Sequence, residues 1–340
     1  MTTLVQAPVP PPKSGAGFRA EPRKKKPRFK LETALQNLAR RALSRVNPVW
    51  AEKASLGAKG VGRTLDLFLN TWMGKVGSVI LLIFLVIAII GTFAIPSYTY
   101  NLTNALHEPS LWDYPFGTDQ NGVPVLDRVM KGSLASLTIG FTAMVVSMAL
   151  GALVGLASGY WGGWRDEVIM RINDVFLSIP WLVLMIVIAA VLATQSIWAV
   201  ILVIGLTGWS TTARIVRSQV LSIKSRQFIE RAKAIGSSEW HIIRRHIFPN
   251  VVPLLFANAI LTIAISILSE STLSFLGLGP QDVDTWGRIL EDAYNAGSAT
   301  IPSQNLFIIV PGLAIVVVVL GFTFVGYAMD EVLNPKLRKR

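Results

Sequence analysis

The sequence predicts an all-α, polytopic membrane protein with six transmembrane helices. Three observations carry that prediction: long apolar runs free of charge, cationic residues confined to alternate connections, and a 340-residue composition that is 52% hydrophobic and only 15% charged. The runs Val76 to Ile95, Leu134 to Gly159, Val175 to Ala213, Val251 to Ser269 and Asn305 to Met329 contain no Asp, Glu, Lys or Arg. Each reaches the roughly 20 residues that a helix needs to cross about 30 Å of hydrocarbon. Val175 to Ala213 is 39 residues long, with the polar triplet Thr194, Gln195 and Ser196 near its middle, so it is read as two spans joined by a tight turn. A large buried α-helical core fits the composition too, but spanning helices that satisfy their own backbone in lipid account better for the lengths.

Charge placement orients the spans. Of the 32 Lys and Arg residues, 15 precede the first span, 2 lie between the second and third, 8 between the fourth and fifth and 4 after the sixth. Only Arg128, Lys131 and Arg288 fall on the other side. The positive-inside rule therefore makes both termini and the 214–250 loop cytoplasmic, with the loops Pro96 to Ser133 and Glu270 to Gln304 outside.

The formal charge of +12 is concentrated in residues 1–75, which carry 15 basic and 4 acidic side chains, so the membrane body is nearly neutral. Arg23 to Lys30 reads RKKKPRFK after a proline-rich stretch, a composition that favours a partly disordered cytoplasmic region near anionic lipid over a nucleic-acid site. Leu31, Leu35 and Leu38 share a helical face within that region. Residues 76–335 form the six-span domain and 336–340 a basic cytoplasmic tail. No cleavable signal peptide is expected, because the first apolar run starts 75 residues in and is too long for an h-region.

Chemistry is scarce. There is no cysteine, hence no disulfide or thiolate site. His241 and His246, five apart, point about 140° away from each other on a helix of about 3.6 residues per turn, and His107 lies on the opposite side, so no metal site is expected. No nucleophile motif, phosphate-cradling loop or paired intramembrane carboxylate is visible, which makes an enzyme the weakest reading.

The 214–250 loop is the exception to a bland surface. Gln219 to Ile235 reads as a short helix, Gly236 supplies a left-handed turn, Ser237 or Ser238 caps a second helix, and Pro249 stops it. Two short helices bent at a glycine suit transmission of motion from a soluble partner. A solvated basic hairpin would satisfy topology alone, but topology needs neither Glu230 nor the glycine and proline at this spacing.

Glu230, Ala232, Gly236 and Pro249, with the glycine six residues after the glutamate and the proline thirteen later, resemble the EAA loop of permease subunits of binding-protein-dependent ABC importers. Arg245 to Asn250, RHIFPN, is similar to the dipeptide and oligopeptide transporter C-type permeases. Arg231 and Phe248 depart from the usual alanine and leucine. FGTDQNGVPVLDR at Phe116 to Arg128, DEVIMRINDVFLSIP at Asp166 to Pro180, and LSFLGLG at Leu273 to Gly279 with Trp286 and Gly287 resemble further family segments in the same order. The resemblance covers about residues 76–335.

The resemblance implies a type I ABC importer permease fold in a bacterial cytoplasmic membrane. It implies a second homologous permease, two ATP-binding cassette subunits and an extracytoplasmic solute-binding protein as partners, alongside membrane lipid and no nucleic acid. It implies no cofactor on this chain, with ATP and magnesium on the partner subunits. Glu230, Arg231, Ala232, Gly236, Ser237, Arg244, Arg245 and Pro249 are the implied ATPase-coupling residues. Phe116, Gly117, Asp119, Gly122 and Trp286 are the implied contacts for the external binding protein. Short peptides are the implied solute, with oligosaccharides or nickel complexes as alternatives within the family.

Other features have plainer readings. Gly151, Gly155 and Gly159 have the spacing that lets helices pack closely. Pro180 and Pro253 shape helix ends, Arg171 and Asp174 form an ion pair or lipid anchor, and Glu270 is either a solvated boundary residue or a functional one. Two rivals remain: an ATP-independent secondary transporter, and a membrane scaffold that uses the basic first 75 residues.

Overall fold

The computed structural model describes residues 30–43, 48–95, 97–98, 100–110, 112–193 and 195–333. The proline-rich and basic stretches before residue 30 and the tail 336–340 lie outside the described residues. Described residues outside helices form turns and one isolated antiparallel bridge, Thr118 with Pro124.

The chain divides into two compact units, residues 1–63 and 64–340. In the first, α1 (Lys30–Leu43) meets the middle of α2 (Pro48–Asn70), with Lys59 Nζ 3.7 Å from Glu32 Oε1. Leu31 and Leu35 are half-buried there while Leu38 is exposed.

The second unit holds the spans. The Thr71 hydroxyl accepts from Gly74 N–H at 3.0 Å and caps α3 (Trp72–Ala94). The residues α3 buries fully are Gly74, Gly77, Ala88 and Gly91; Phe84 packs edge-on against Trp286 at 5.7 Å, while Val79 and Leu82 stay exposed. That is the pattern of a helix at the lipid boundary. The next helix, α4 (Val125–Trp161), is 37 residues, about 55 Å at 1.5 Å per residue, and overhangs the apolar run at its N-terminal end.

The third span departs from expectation. The run beginning at Val175 is interrupted: α5 (Gly163–Ser178) stops at Ile179–Pro180, and α6 (Trp181–Leu192) leaves at 91° to it. Proline disfavours the helical conformation in the residue before it, and Ile179 is extended, with ψ 131°. Among the described residues five helices are long and apolar enough to cross by themselves, and the bent pair brings the number to six if it is one broken span. Ala193, at φ 50°, ends α6, and Ser196 caps α7 (Ile197–Lys224).

Beyond α7 come α8 (Gln227–Ala234), α9 (Glu239–Ile242), a π-helical turn (Ile243–Ile247) and α10 (Phe248–Phe275). The external-type connection carries α11 (Trp286–Asn295), and α12 (Leu306–Leu333) closes the bundle.

The glycine stripe does what small residues do at a crossing. A Cβ on Gly151 would lie 2.6 Å from Thr212 Cβ, and one on Gly155 would lie 2.5 Å from the Ala213 carbonyl oxygen. Gly159 meets Val220 in the same way, so α4 and α7 pack backbone to backbone along three turns. On the opposite flank α4 packs against α10, and α12 lies between α10 and α3. Trp286, Ile289, Ile267, Phe307 and Val318 fill the space these helices share.

Candidate functional site

The loop after α7 is built by two local devices. At the C-terminus of α8, Ser237 N–H donates to the Ala232 carbonyl at 3.0 Å and Gly236 N–H donates to the Lys233 carbonyl at 2.9 Å. This is a Schellman motif, and its left-handed position is Gly236 at φ 79°. The Ser238 hydroxyl then accepts from His241 N–H at 3.3 Å and caps α9. Of the two serines expected as caps, Ser238 is the cap, and Ser237 closes the preceding turn.

Two boundaries differ from the sequence reading. The helix expected over Gln219 to Ile235 is divided: residues to Lys224 are the end of α7, and a break at Ser225–Arg226 restarts the chain as α8. Pro249 does not stop the second helix. It sits in the first turn of α10, where a missing N–H is tolerated, and the π turn before it shifts the hydrogen-bond register. Phe248 N–H donates to the Ile243 carbonyl, and the Asn250 carboxamide donates to the His246 carbonyl at 2.7 Å. The wider turn also brings residues five apart alongside each other. The His241 and His246 rings stand 5.8 Å apart, which corrects the divergence expected of a regular α-helix.

Burial divides the hairpin into two faces. Ile229, Ala232, Ile242 and Ile247 are buried against Val216, Val220 and Ile223 of α7, Tyr160 of α4 and Val251 of α10. Glu230, Arg231, Gly236, Arg244, Arg245 and Pro249 are exposed, and Ser237 is half-buried. Ile235 is 83% exposed at the tip beside Gly236, and Trp240 is 69% exposed. The exposed face thus combines charges with bare apolar side chains, and its buried face is fastened to the ends of three spanning helices. A load on this hairpin is delivered to α4, α7 and α10 together.

Further ties stiffen the same end. Arg217 of α7 donates to Asp166 of α5 through Nε at 2.7 Å and Nη2 at 2.6 Å, a bidentate pair. Asp174 pairs with Arg214 of α7 at 2.7 Å, rather than with Arg171 as its spacing indicated. The Lys224 ammonium donates to the Tyr160 carbonyl.

At the other end, the segment read as a binding-protein contact is turned inward. Asp119 and Trp286 are buried, as are Gly117 and Gly122, and Phe116 is half-buried. The side chains of Asp119 and Trp286 are engaged within this chain. Trp286 donates its backbone N–H to Ser136 Oγ and its indole N–H to the Val129 carbonyl, both at 3.1 Å. Asp119 accepts from Asn121 and Val123 N–H at 2.8 Å through one oxygen and from Arg128 through the other.

Arg128, which drew no separate attention in the sequence, is the centre of this end. Its guanidinium reaches Asp119 at 3.0 Å, Asp284 at 2.7 Å and Asp292 at 2.7 Å, joining the loop before α4, the loop before α11 and α11 itself. Burial pushes the Asp284 carboxyl up, and the Arg128 guanidinium more than offsets it, leaving it below the usual carboxylate range. Glu270 is also fully buried, in α10, where it accepts from Ser274 Oγ at 2.7 Å; it is not a solvated boundary residue. Asp284 and Asp292 lie 156 and 164 positions from Arg128, so no local spacing marked them.

Together these features define a multi-span helical membrane protein with a two-faced, partly apolar hairpin after α7 and a salt-bridged cluster around Arg128. The family model described as binding-protein-dependent transport system inner membrane component matches residues 147–339. The oligopeptide transport system permease protein OppC of Bacillus subtilis is 33% identical, over 85% of this chain and 94% of its own length. The dipeptide transport system permease protein DppC of Alkalihalophilus pseudofirmus is 35% identical, over 77% of this chain and 86% of its own. Among solved structures, an inward-facing MetNI methionine ABC transporter is 20% identical over 60% of this chain and 93% of that one, with a TM-score of 0.47. The chain belongs to the family of binding-protein-dependent transport system inner membrane components.

Proposed function

We propose that this chain is the permease subunit of an ABC importer that takes up short peptides. In this reading it forms the translocation path with a second homologous permease. Its α8–α9 hairpin docks on a cytoplasmic ATP-binding subunit, one of two, and a solute-binding protein delivers cargo from outside. ATP and magnesium belong to the ATP-binding subunits. Both termini and the hairpin face the cytoplasm of a bacterial cytoplasmic membrane.

The observation that carries the reading is the two-faced hairpin. Its tip exposes Glu230, Arg231 and Ile235 to a partner, and its root is packed into the ends of α4, α7 and α10. A partner that holds two conformations with unequal affinity can therefore shift the whole bundle. The peptide assignment is supported by the names of the curated relatives, oligopeptide and dipeptide permeases. Oligosaccharides or nickel complexes are the alternative cargo for the same machinery.

The test is purification of the tagged chain from its host in mild detergent, with identification of co-purifying proteins and an ATP hydrolysis assay. Recovery of a second permease and ATP-binding subunits, with hydrolysis that responds to a binding protein, is the expected result. Gly236→Val should uncouple hydrolysis from uptake, because a β-branched residue at φ 79° opens the Schellman turn. A Cβ at that position meets no other atom within 4 Å, so the effect would be conformational and not a clash. A lone oligomer that moves solute without ATP would overturn the reading in favour of a secondary transporter.

A further inference from the structure

A cavity of about 410 Å³ lies between the middles of α4, α7 and α10 and the break that joins α5 to α6. Its lining contains no Asp, Glu, Lys, Arg or His; it holds seven hydroxyls and the carboxamide of Asn258 among apolar side chains. Hydroxyls inside helices ordinarily satisfy themselves by donating to the carbonyl one turn back. Ser133 of α4, Thr207 of α7 and Thr262, Ser269 and Ser271 of α10 all do so.

Ser147 of α4 and Ser210 of α7 break that habit. Both line the cavity, both are at least 98% buried, and neither hydroxyl has a hydrogen-bond partner in the protein. A buried unpaired hydroxyl costs stability, which a chain retains where the missing partner arrives from outside. Gly208 of α7 lies against Ser147, where a Cβ would stand 3.0 Å from Ser147 Oγ. Beside it, Trp181 donates its indole N–H to Thr207 Oγ1 at 2.9 Å.

The geometry points to a transit subsite in which Ser147 and Ser210 hydrogen-bond the backbone amides of a passing peptide. A peptide group offers one N–H and one C=O per residue whatever its side chain. A hydroxyl can donate to the carbonyl or accept from the amide N–H. With no charge on the walls, the subsite has no means of selecting side chains by ion pairing. It reads the feature common to all peptides and leaves side-chain preference to the partner that delivers them. This rests on the peptide-importer reading.

The experiment uses the whole complex, with its partner permease, ATP-binding subunits and binding protein, in liposomes, with trialanine and an N-methylated trialanine supplied at saturating binding protein. The S147A/S210A variant should lower trialanine uptake about tenfold, the loss of two neutral hydrogen bonds. Its binding-protein-stimulated ATP hydrolysis should stay at the wild-type rate, and its preference for trialanine over the methylated analogue should shrink. Unchanged uptake and preference would overturn the subsite while leaving the importer reading intact. Parallel loss of uptake and hydrolysis would overturn it by making the two serines structural. A wild-type complex that hydrolyses ATP but accumulates no trialanine would overturn the subsite and the peptide assignment together.

Discussion

Arg128 concentrates more tertiary information than any other side chain among the described residues. One buried guanidinium holds three carboxylates that come from positions 119, 284 and 292. Removing it leaves buried carboxylates without their counter-charge, so Arg128→Leu should cost about 3–5 kcal/mol, read as a lowered thermal midpoint in detergent. The pH dependence of the same cluster follows from Asp284. Its folded-state carboxyl titrates below the unfolded value of about 3.9, so its contribution is complete above that pH and is lost as pH falls through the folded value. Hydrogen exchange in α11, corrected for its intrinsic pH dependence, should therefore stay protected from pH 7 down to about 5 and loosen only below about 4. The burial of Asp119 and Trp286 was not legible in the sequence, because neither spacing nor residue type reports which way a loop folds back.

Two elements show how local chemistry and neighbours share the decision. The hairpin was partly legible: Gly236 marks a left-handed turn by residue type alone, and Ser238 is one of the two serines expected as the cap. Its joints were not. The π turn just before Pro249 reverses the expected separation of His241 and His246. The α5–α6 break needed Pro180 and also the anchoring of α5 to α7 through Asp166–Arg217 and Asp174–Arg214. For the α4–α7 crossing the spacing of Gly151, Gly155 and Gly159 named the face, and α7 is the neighbour. Gly155→Leu would drive a side chain into the Ala213 carbonyl, so the variant should be recovered unfolded or unassembled by size-exclusion chromatography. Leu153→Ala, on an exposed position of the same helix, should behave as wild type.

Across the whole molecule, the charge asymmetry predicts an orientation that is open to direct measurement. The chain lacks cysteine, so single cysteines report topology without background. Lys233→Cys in the hairpin should react with an impermeant maleimide only in inverted vesicles. Trp112→Cys, in a loop where Trp112 is 93% exposed, should react only in intact cells. The reverse pattern would invert the positive-inside assignment and remove the hairpin from the compartment that holds ATP.

The sequence by itself determined that this chain crosses a membrane repeatedly, where its spans lie and that its loop bends at Gly236. Those properties depend on hydrocarbon thickness, on backbone hydrogen bonding and on the φ preference of single residues, all of which act locally. Tertiary structure alone decided that Arg128 gathers Asp119, Asp284 and Asp292, that Glu270 and Trp286 are interior, and that Ser147 and Ser210 face one uncharged cavity without partners. Each of these depends on which helices become neighbours, and a contact between residues more than 60 positions apart leaves no periodic trace in the chain.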